Sequence, residues 1–214
     1  RKVLITFQLA VSIALIACTL IIQNQMALVR DSRPGVNQKQ VIMIPTRNEM
    51  GKEYMALREK LLAYSGIEFV TTSSFEPGEP GFITFFSAKN VEGLTGEETM
   101  VMDGIDAGFD FEKTFELHVV HGRSFAEAFT TDLEQAVMVN ETAVRSLGWE
   151  EPLGKTINVW GTPRRVVGVV EDFHYKSLKE EIVPLVITPT DKASRFIAVS
   201  LASGDIASSL KQVE

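Results

Sequence analysis

The chain contains a single cysteine, Cys18, which lies inside a long apolar run near the N-terminus. The rest of the chain therefore has no disulfide, and its cysteine content gives no information about the redox compartment. Basic residues are also scarce, since 21 Lys and Arg stand against 28 Asp and Glu, and the formal net charge is -7. This balance argues against a nucleic-acid partner and against a polybasic lipid-binding patch.

Recognisable catalytic motifs are missing as well. The sequence has no Gly-x-Ser-x-Gly elbow, no His-Glu-x-x-His motif and no cysteine–histidine pair, so a hydrolase would have no nucleophile. His118 and His121 are three residues apart near a strand end, which does not place both on one face of a strand, and His174 lies far along the chain. We predict no catalytic residues, no metal ligands and no cofactor.

Residues 148–156 share some features with a phosphate-binding P-loop. A P-loop has four residues between its glycines and leads from a strand into a helix. Here five residues separate Gly148 from Gly154, a predicted helix comes before, and the alternating residues 157–160 indicate a strand. We interpret the segment as a turn.

The sequence does contain an uncharged apolar run at residues 3–22. As a helix this run spans about 30 Å, the thickness of a bilayer core, so we predict a transmembrane helix. Arg1 and Lys2 precede it, and the positive-inside tendency then places the large following domain outside the cytoplasm. A cleaved signal peptide has a shorter apolar core. Residues 15–18 resemble a lipoprotein processing box, but residues 19–22 are too apolar to begin a mature lipoprotein.

Two faces of this helix carry residues that a plain lipid anchor does not need. Gln8, Ser12 and Thr19 fall on one face, and small residues at 10, 14 and 18 form a stripe. Small side chains allow membrane helices to approach closely, and polar ones hydrogen-bond between them. We predict that Gln8, Ser12 and Thr19 contact other membrane helices, with plain anchoring as the alternative.

The residues that follow the apolar run predict a short helical stalk over 23–29. Residues 31–35 contain the turn formers that would end it. We expect Gln23, Gln25 and Val29 in this stalk to transmit motion between the membrane and the outer domain, if the chain works mechanically.

The outer part predicts a mixed α+β domain. Asn48 caps a helix that runs to Tyr64, with Met55, Leu57, Leu61 and Leu62 on its core side, between strands at 41–44 and 68–72. Further strands are predicted at 82–87, 99–103, 116–120, 136–139 and 196–201. Short helices are predicted at 109–115, 125–129 and 141–147, a hairpin at 156–170 turning at 161–163, and a helix at the C-terminal end.

Short motifs follow the apolar run in a defined order. They are Phe7-Gln8, Ser12-Ile13, Pro34-Gly35-Val36-Asn37, Ser73-Ser74-Phe75-Glu76-Pro77-Gly78, Gly122-Arg123-Ser124-Phe125, Thr131-Asp132, Asn140-Glu141-Thr142-Ala143, Leu147-Gly148-Trp149, Pro152-Leu153-Gly154-Lys155 and residues 167–174. Each motif is weak alone, but their order over almost the full chain resembles the FtsX-like permease family with its MacB-type periplasmic core domain.

The resemblance implies a transmembrane helix at 1–25 followed by a two-lobed mixed α/β periplasmic core domain at 26–214. A β-rich lobe, at roughly 76–120, would be inserted within the α/β lobe. The resemblance also implies a fragment of a longer polytopic permease whose membrane helices continue beyond Glu214. The Phe7-Gln8 opening is more similar to the second copy of the repeat in eight-helix members.

For function, the resemblance implies a permease subunit of an ABC transporter in the bacterial inner membrane, working in export or mechanotransmission. Its implied partners are a separate ABC-type ATPase subunit, membrane lipid, a second permease copy, and periplasmic or outer-membrane proteins. The alternative is a single-pass membrane-anchored sensor or ligand-binding module. An anchored enzyme is a weaker alternative because no nucleophile or metal cluster is found. The transported substrate does not follow from the family.

Overall fold

The computed structural model describes residues 1–31, 40–46, 51, 53–77, 84–88, 100–176 and 180–202, with only the main chain described at 25–31 and 84–88. The chain divides into two compact units, residues 1–33 and 34–214.

The first unit is a single helix, α1, at Lys2–Asp31. Its segment Lys2–Asn24 has a mean hydropathy of 2.4, and none of this segment is buried within the chain. The length and composition of the segment are sufficient to cross a bilayer. With about 1.5 Å of rise per residue, the whole helix is about 45 Å long, so it is longer than a bilayer core is thick. The predicted helix and the predicted stalk are thus one continuous helix.

The second unit mixes short helices with strands. The helices are α2 at Glu53–Leu62, α3 at Phe111–Thr114, α4 at Asp132–Gln135 and α5 at Glu141–Ser146. The strands are β1 at Val41–Pro45, β2 at Ile67–Ser73, β3 at Thr84–Ala88, β4 at Met100–Ala107, β5 at Val119–Gly122, β6 at Ala136–Asn140, β7 at Thr156–Val159, β8 at Thr162–Val170, β9 at Leu185–Pro189 and β10 at Phe196–Leu201. The predicted α+β class is confirmed.

The described strands form one sheet in the order β1-β10-β2-β4-β9-β6-β8-β5, in which β3 also pairs with β4 and β7 with β8. We call β1, β10 and β2 the first sub-sheet and the other strands the second sub-sheet. Among the described residues, the strand ladder between the two contains a single residue pair, Ser73 with Ala107. Within the first sub-sheet β10 is antiparallel to both neighbours, so β1 and β2 are parallel and the predicted β-α-β unit is confirmed.

Buried apolar residues form three clusters around these sub-sheets. One cluster packs α2 against the first sub-sheet through residues such as Tyr54, Val70 and Val199. A second lies on one face of the second sub-sheet and includes α5 and Trp149. The third is rich in aromatic rings, among them Phe75, and takes residues from both sub-sheets. The unit therefore has ample core of its own.

Several sequence predictions need correction. Residues 125–129 are not a helix, and the short helix of this region is α4. The hairpin turns at Trp160 and Gly161, both with positive φ, which is the geometry of a two-residue turn rather than a turn at 161–163. Strand β9 was not predicted. Asn48, the C-terminal helix and parts of the predicted inserted lobe lie outside the described residues, so the lobe boundary at roughly 76–120 stays a prediction.

Candidate functional site

The three residues predicted to contact other membrane helices are all exposed on α1. Gln8, Ser12 and Thr19 share one face because they are four and eleven residues apart on a helix with 3.6 residues per turn. The Thr19 hydroxyl donates to the carbonyl oxygen of Leu15 at 2.8 Å. This hydroxyl therefore offers a neighbouring helix only its acceptor capacity, whereas Gln8 has an amide that can both donate and accept.

The predicted stalk residues lie in the last three turns of α1. Gln23 is exposed, and the main chain at Gln25 and Val29 is helical. No helix break separates the stalk from the apolar segment, since α1 runs without interruption from Lys2 to Asp31. A continuous helix is the geometry that a stiff connection requires, although the transmitting role itself stays a prediction.

All three histidines retain some solvent exposure. His118 and His121 are exposed, and His174 is half-buried. Within the part of the chain that the structure describes, no group of three or more His, Cys, Asp or Glu residues is arranged to hold a metal ion.

The P-loop-like segment is a turn, as predicted. Its second glycine, Gly154, donates its main-chain N–H to the carbonyl oxygen of Val166 at 2.8 Å, and Lys155 accepts from the N–H of Val166 at 2.8 Å. The strand β7 follows directly. Because Gly154 already bonds to β8 and no helix begins here, the segment cannot form the amide cradle that a P-loop offers to phosphate.

Motifs that carry the family resemblance converge on β8. Arg123 donates its main-chain N–H to the carbonyl oxygen of Val167 at 3.0 Å, beside Gly154 and its bond to Val166. A Cβ atom on Gly168 would lie 2.2 Å from the carbonyl oxygen of Arg123. Only glycine permits this approach of two main chains, which explains the glycine in that motif.

Asn140 joins β6, α5 and β9. Its side chain is fully buried, and Oδ1 accepts from the N–H groups of Ala143 at 3.0 Å and Leu185 at 2.9 Å. Its Nδ2 donates to the carbonyl oxygen of Val183 at 3.0 Å. Asn140 thus caps α5, and the same side chain also fixes the start of β9.

Asp172 also binds the N-terminal end of α5. Its carboxylate accepts from the N–H of Thr142 at 2.9 Å and from the Thr142 hydroxyl at 2.8 Å. Arg145 also donates to it at 2.7 Å. Two motifs that are far apart in sequence, around residues 140 and 172, thus lock α5 to the end of β8.

Two further ion pairs tie chain segments together. Arg123 donates through both terminal nitrogens to the buried carboxylate of Asp132, at 2.6 and 2.8 Å, and its guanidinium lies 3.8 Å from the centre of the Phe129 ring. Hydrogen bonding to Asp132 raises the pKa of the Arg123 guanidinium. Such bidentate pairs fix orientation as well as charge.

The buried carboxylate of Asp103 on β4 receives the Tyr175 hydroxyl at 2.9 Å and the Lys176 ammonium at 2.6 Å. Burial, followed by the Asp103 charge, raises the pKa of the Tyr175 hydroxyl, so this group stays a proton donor at every physiological pH. This contact was not predicted from the sequence. The available signal was an Asp that follows methionine and valine residues in a strand segment, because a charge at such a position needs a partner.

These hydrogen bonds and ion pairs stabilise the fold of the second unit. The polar groups described above are engaged with one another, and they link strands, helices and loops into one body. They provide no activated nucleophile or general base with an open face.

The family model for the MacB-like periplasmic core domain matches residues 7–213. The chain therefore belongs to this family, the extracytoplasmic core domains of MacB- and YknZ-type ABC transporter permeases. No curated protein matches the chain.

Two solved structures show the same fold. The periplasmic region of MacB from Actinobacillus actinomycetemcomitans has 16% sequence identity and a TM-score of 0.57, covering 86% of this chain and 84% of that one. The extracellular domain of the ABC-type transporter YknZ from Gram-positive bacteria has 19% identity and a TM-score of 0.53, covering 79% of this chain and 87% of that one. At these identities the likeness supports the fold alone.

Proposed function

We propose that the chain is part of a permease subunit of an ABC transporter, and that it couples ATP hydrolysis on a separate ATPase subunit to a conformational change of its extracytoplasmic domain. The observation that carries this proposal is a MacB-like core domain matched over residues 7–213 in a chain that begins with a membrane-length helix. An extracytoplasmic domain and a cytoplasmic ATPase can be coupled only through elements that cross the membrane.

The continuity of α1 supports a mechanical role. The helix extends seven residues past Asn24, the end of its apolar segment, which adds about 10 Å of helix beyond the membrane. Nucleotide binding to the partner would shift the membrane helices, and α1 would carry that shift outwards as a hinge or shear motion. In this mechanism Gln23, Gln25 and Val29 form the transmitting segment.

Gln8, Ser12 and Thr19 would hold α1 against other membrane helices of the permease. A Gln side chain in hydrocarbon is unfavourable unless it finds a hydrogen-bond partner, so its place on the same face as Ser12 and Thr19 favours a helix neighbour over lipid. Membrane lipid on the remaining faces, the bacterial inner membrane as location, a second permease copy, and periplasmic or outer-membrane partners complete the proposed assembly.

The stalk is tested by changing its stiffness. We expect insertion of a seven-residue Gly-Ser segment after Gln25 to abolish transport while ATP hydrolysis by the partner continues, because a flexible segment cannot carry a displacement. The matched control inserts seven alanines at the same place, which adds about two helical turns and keeps both the face and the stiffness. Transport that survives the Gly-Ser insertion would refute the transmitting role.

A further inference from the structure

The joint between the two sub-sheets is narrow. At the joint, Ser73 pairs with Ala107, and two main-chain hydrogen bonds flank the pair. Ser74 donates its N–H to Asp106 at 3.0 Å, and Gly108 donates its N–H to Thr72 at 2.8 Å. Asp106 also donates its N–H to Ser74 Oγ at 3.0 Å. These three hydrogen bonds are a small connection compared with the long ladders inside each sub-sheet.

A buried arginine bridges this joint from the side. Arg58 lies on α2, which packs on the first sub-sheet, and only 6% of the residue is exposed. Its Nε donates to the carbonyl oxygen of Val70 on β2 at 2.9 Å. Its two terminal nitrogens pair with the carboxylates of Asp110 and Glu127, which belong to the segment that leads from β4 to β6.

Asp110 and Glu127, the two carboxylate partners of Arg58, differ from ordinary core residues in main-chain conformation and in exposure, respectively. Asp110 has φ 61°, a left-handed conformation that Asp adopts more readily than most residues with a Cβ atom, and its side chain makes no helix-cap bond to α3. Instead, Lys113 holds its second carboxylate oxygen at 2.6 Å. The Glu127 side chain is 52% exposed, so water can replace Arg58 on that carboxylate.

We propose that Arg58, Asp110 and Glu127 form a latch that controls how far the two sub-sheets can separate at the joint. When the latch is closed, Arg58 holds the segment after β4 against β2. When it opens, both carboxylates become hydrated, and the joint retains its two main-chain hydrogen bonds, the hydrogen bond between Asp106 and the Ser74 side chain, and the shared aromatic cluster. The latch is a property of the extracytoplasmic unit and does not depend on the proposed ATPase coupling.

Hydrogen exchange at the Ser74 and Gly108 amides tests the latch directly, because each donates one of the two main-chain hydrogen bonds of the joint. The experiment uses the whole chain in detergent, with mass spectrometry at single-residue resolution. We expect Arg58→Met to accelerate exchange of both amides by about tenfold or more, as charged hydrogen bonds are lost. Exchange within β10 and β6 should stay unchanged.

A second variant covers the case in which Arg58→Met fails to fold. Glu127→Ala removes only the half-exposed partner and should accelerate the same two amides by a smaller factor. The matched control is Glu134→Ala, which removes an exposed glutamate on α4. Unchanged exchange at Ser74 and Gly108 in a folded variant would overturn the latch. Equal acceleration throughout both sub-sheets would also overturn it, because the contact would then support the whole fold.

Discussion

Replacement of Asn140 by alanine should destabilise the extracytoplasmic unit more than most single substitutions. The change removes the cap on Ala143 N–H, which is worth about 1 kcal/mol. It also leaves the Leu185 N–H and the Val183 carbonyl without this partner, at about 1 to 3 kcal/mol for each buried group. Val183 is half-buried, so the cost of leaving its carbonyl without Asn140 lies at the low end of this range. The expected total is about 3 to 5 kcal/mol.

This loss is large compared with the roughly 5 to 15 kcal/mol that stabilises a typical domain. It should lower the unfolding temperature by about 6 to 20 °C, since a domain of this size shifts by about 2 to 4 °C per kcal/mol. Trp149 provides the signal, because it is buried in the same cluster as Ala143 and its fluorescence changes when α5 detaches.

The control for Asn140→Ala is Gln135→Ala, which truncates an exposed amide on α4 and should change stability by less than about 0.5 kcal/mol. The reasoning about buried hydrogen bonds is refuted if Asn140→Ala lowers the free energy of unfolding by less than about 1 kcal/mol.

Two further predictions concern stability. Gly168→Ala places a Cβ atom 2.2 Å from the carbonyl oxygen of Arg123 and should destabilise the unit by about 2 kcal/mol or more, as measured by urea unfolding. The control is Gly51→Ala, because a Cβ atom at Gly51 meets nothing within 4 Å. Equal losses of stability in the two variants would contradict this prediction. Burial raises the pKa of Glu112, so its ionised form opposes folding. Glu112→Gln should therefore raise the unfolding temperature at pH 7, and this advantage should vanish as the pH falls and the carboxyl group protonates; a difference that persists in acid would contradict this.

Local signals in the sequence predicted much of the fold. The uncharged run predicts α1 because a bilayer-length apolar helix depends only on composition and length. The predicted helix at 141–147 corresponds to α5, because the start of a helix depends on residues close in sequence, here Asn140 and Ala143. The strand at 41–44 and the helix that ends near Tyr64 follow from the same local rules.

Features that depend on distant partners were not predictable in this way. On α2 the predicted core positions Met55, Leu57 and Leu62 are only half-buried, while Arg58 is buried because carboxylates from another segment reach it. The turn at Trp160 was missed because a bulky residue with φ 54° contradicts ordinary turn preferences. These positions are set by tertiary contacts, which one sequence does not display.

The proposed site residues have the same dependence on partners. Gln8, Ser12 and Thr19 lie on one face of α1 as the spacing predicted, but their role requires neighbouring membrane helices, so it stays a prediction. The same holds for Gln23, Gln25 and Val29, whose role requires motion in the membrane. The order of the short motifs was the most informative signal for function, because it identified the family that the comparison confirms.

The measurement that tests the central claim most directly is purification of the full-length membrane protein in detergent, followed by identification of copurifying subunits and assay of ATP hydrolysis. The proposed function predicts an ABC-type ATPase subunit in stoichiometric amount, with an ATPase rate that changes on association. The absence of any ATPase from an intact, folded preparation would contradict the permease function and favour a membrane-anchored sensor.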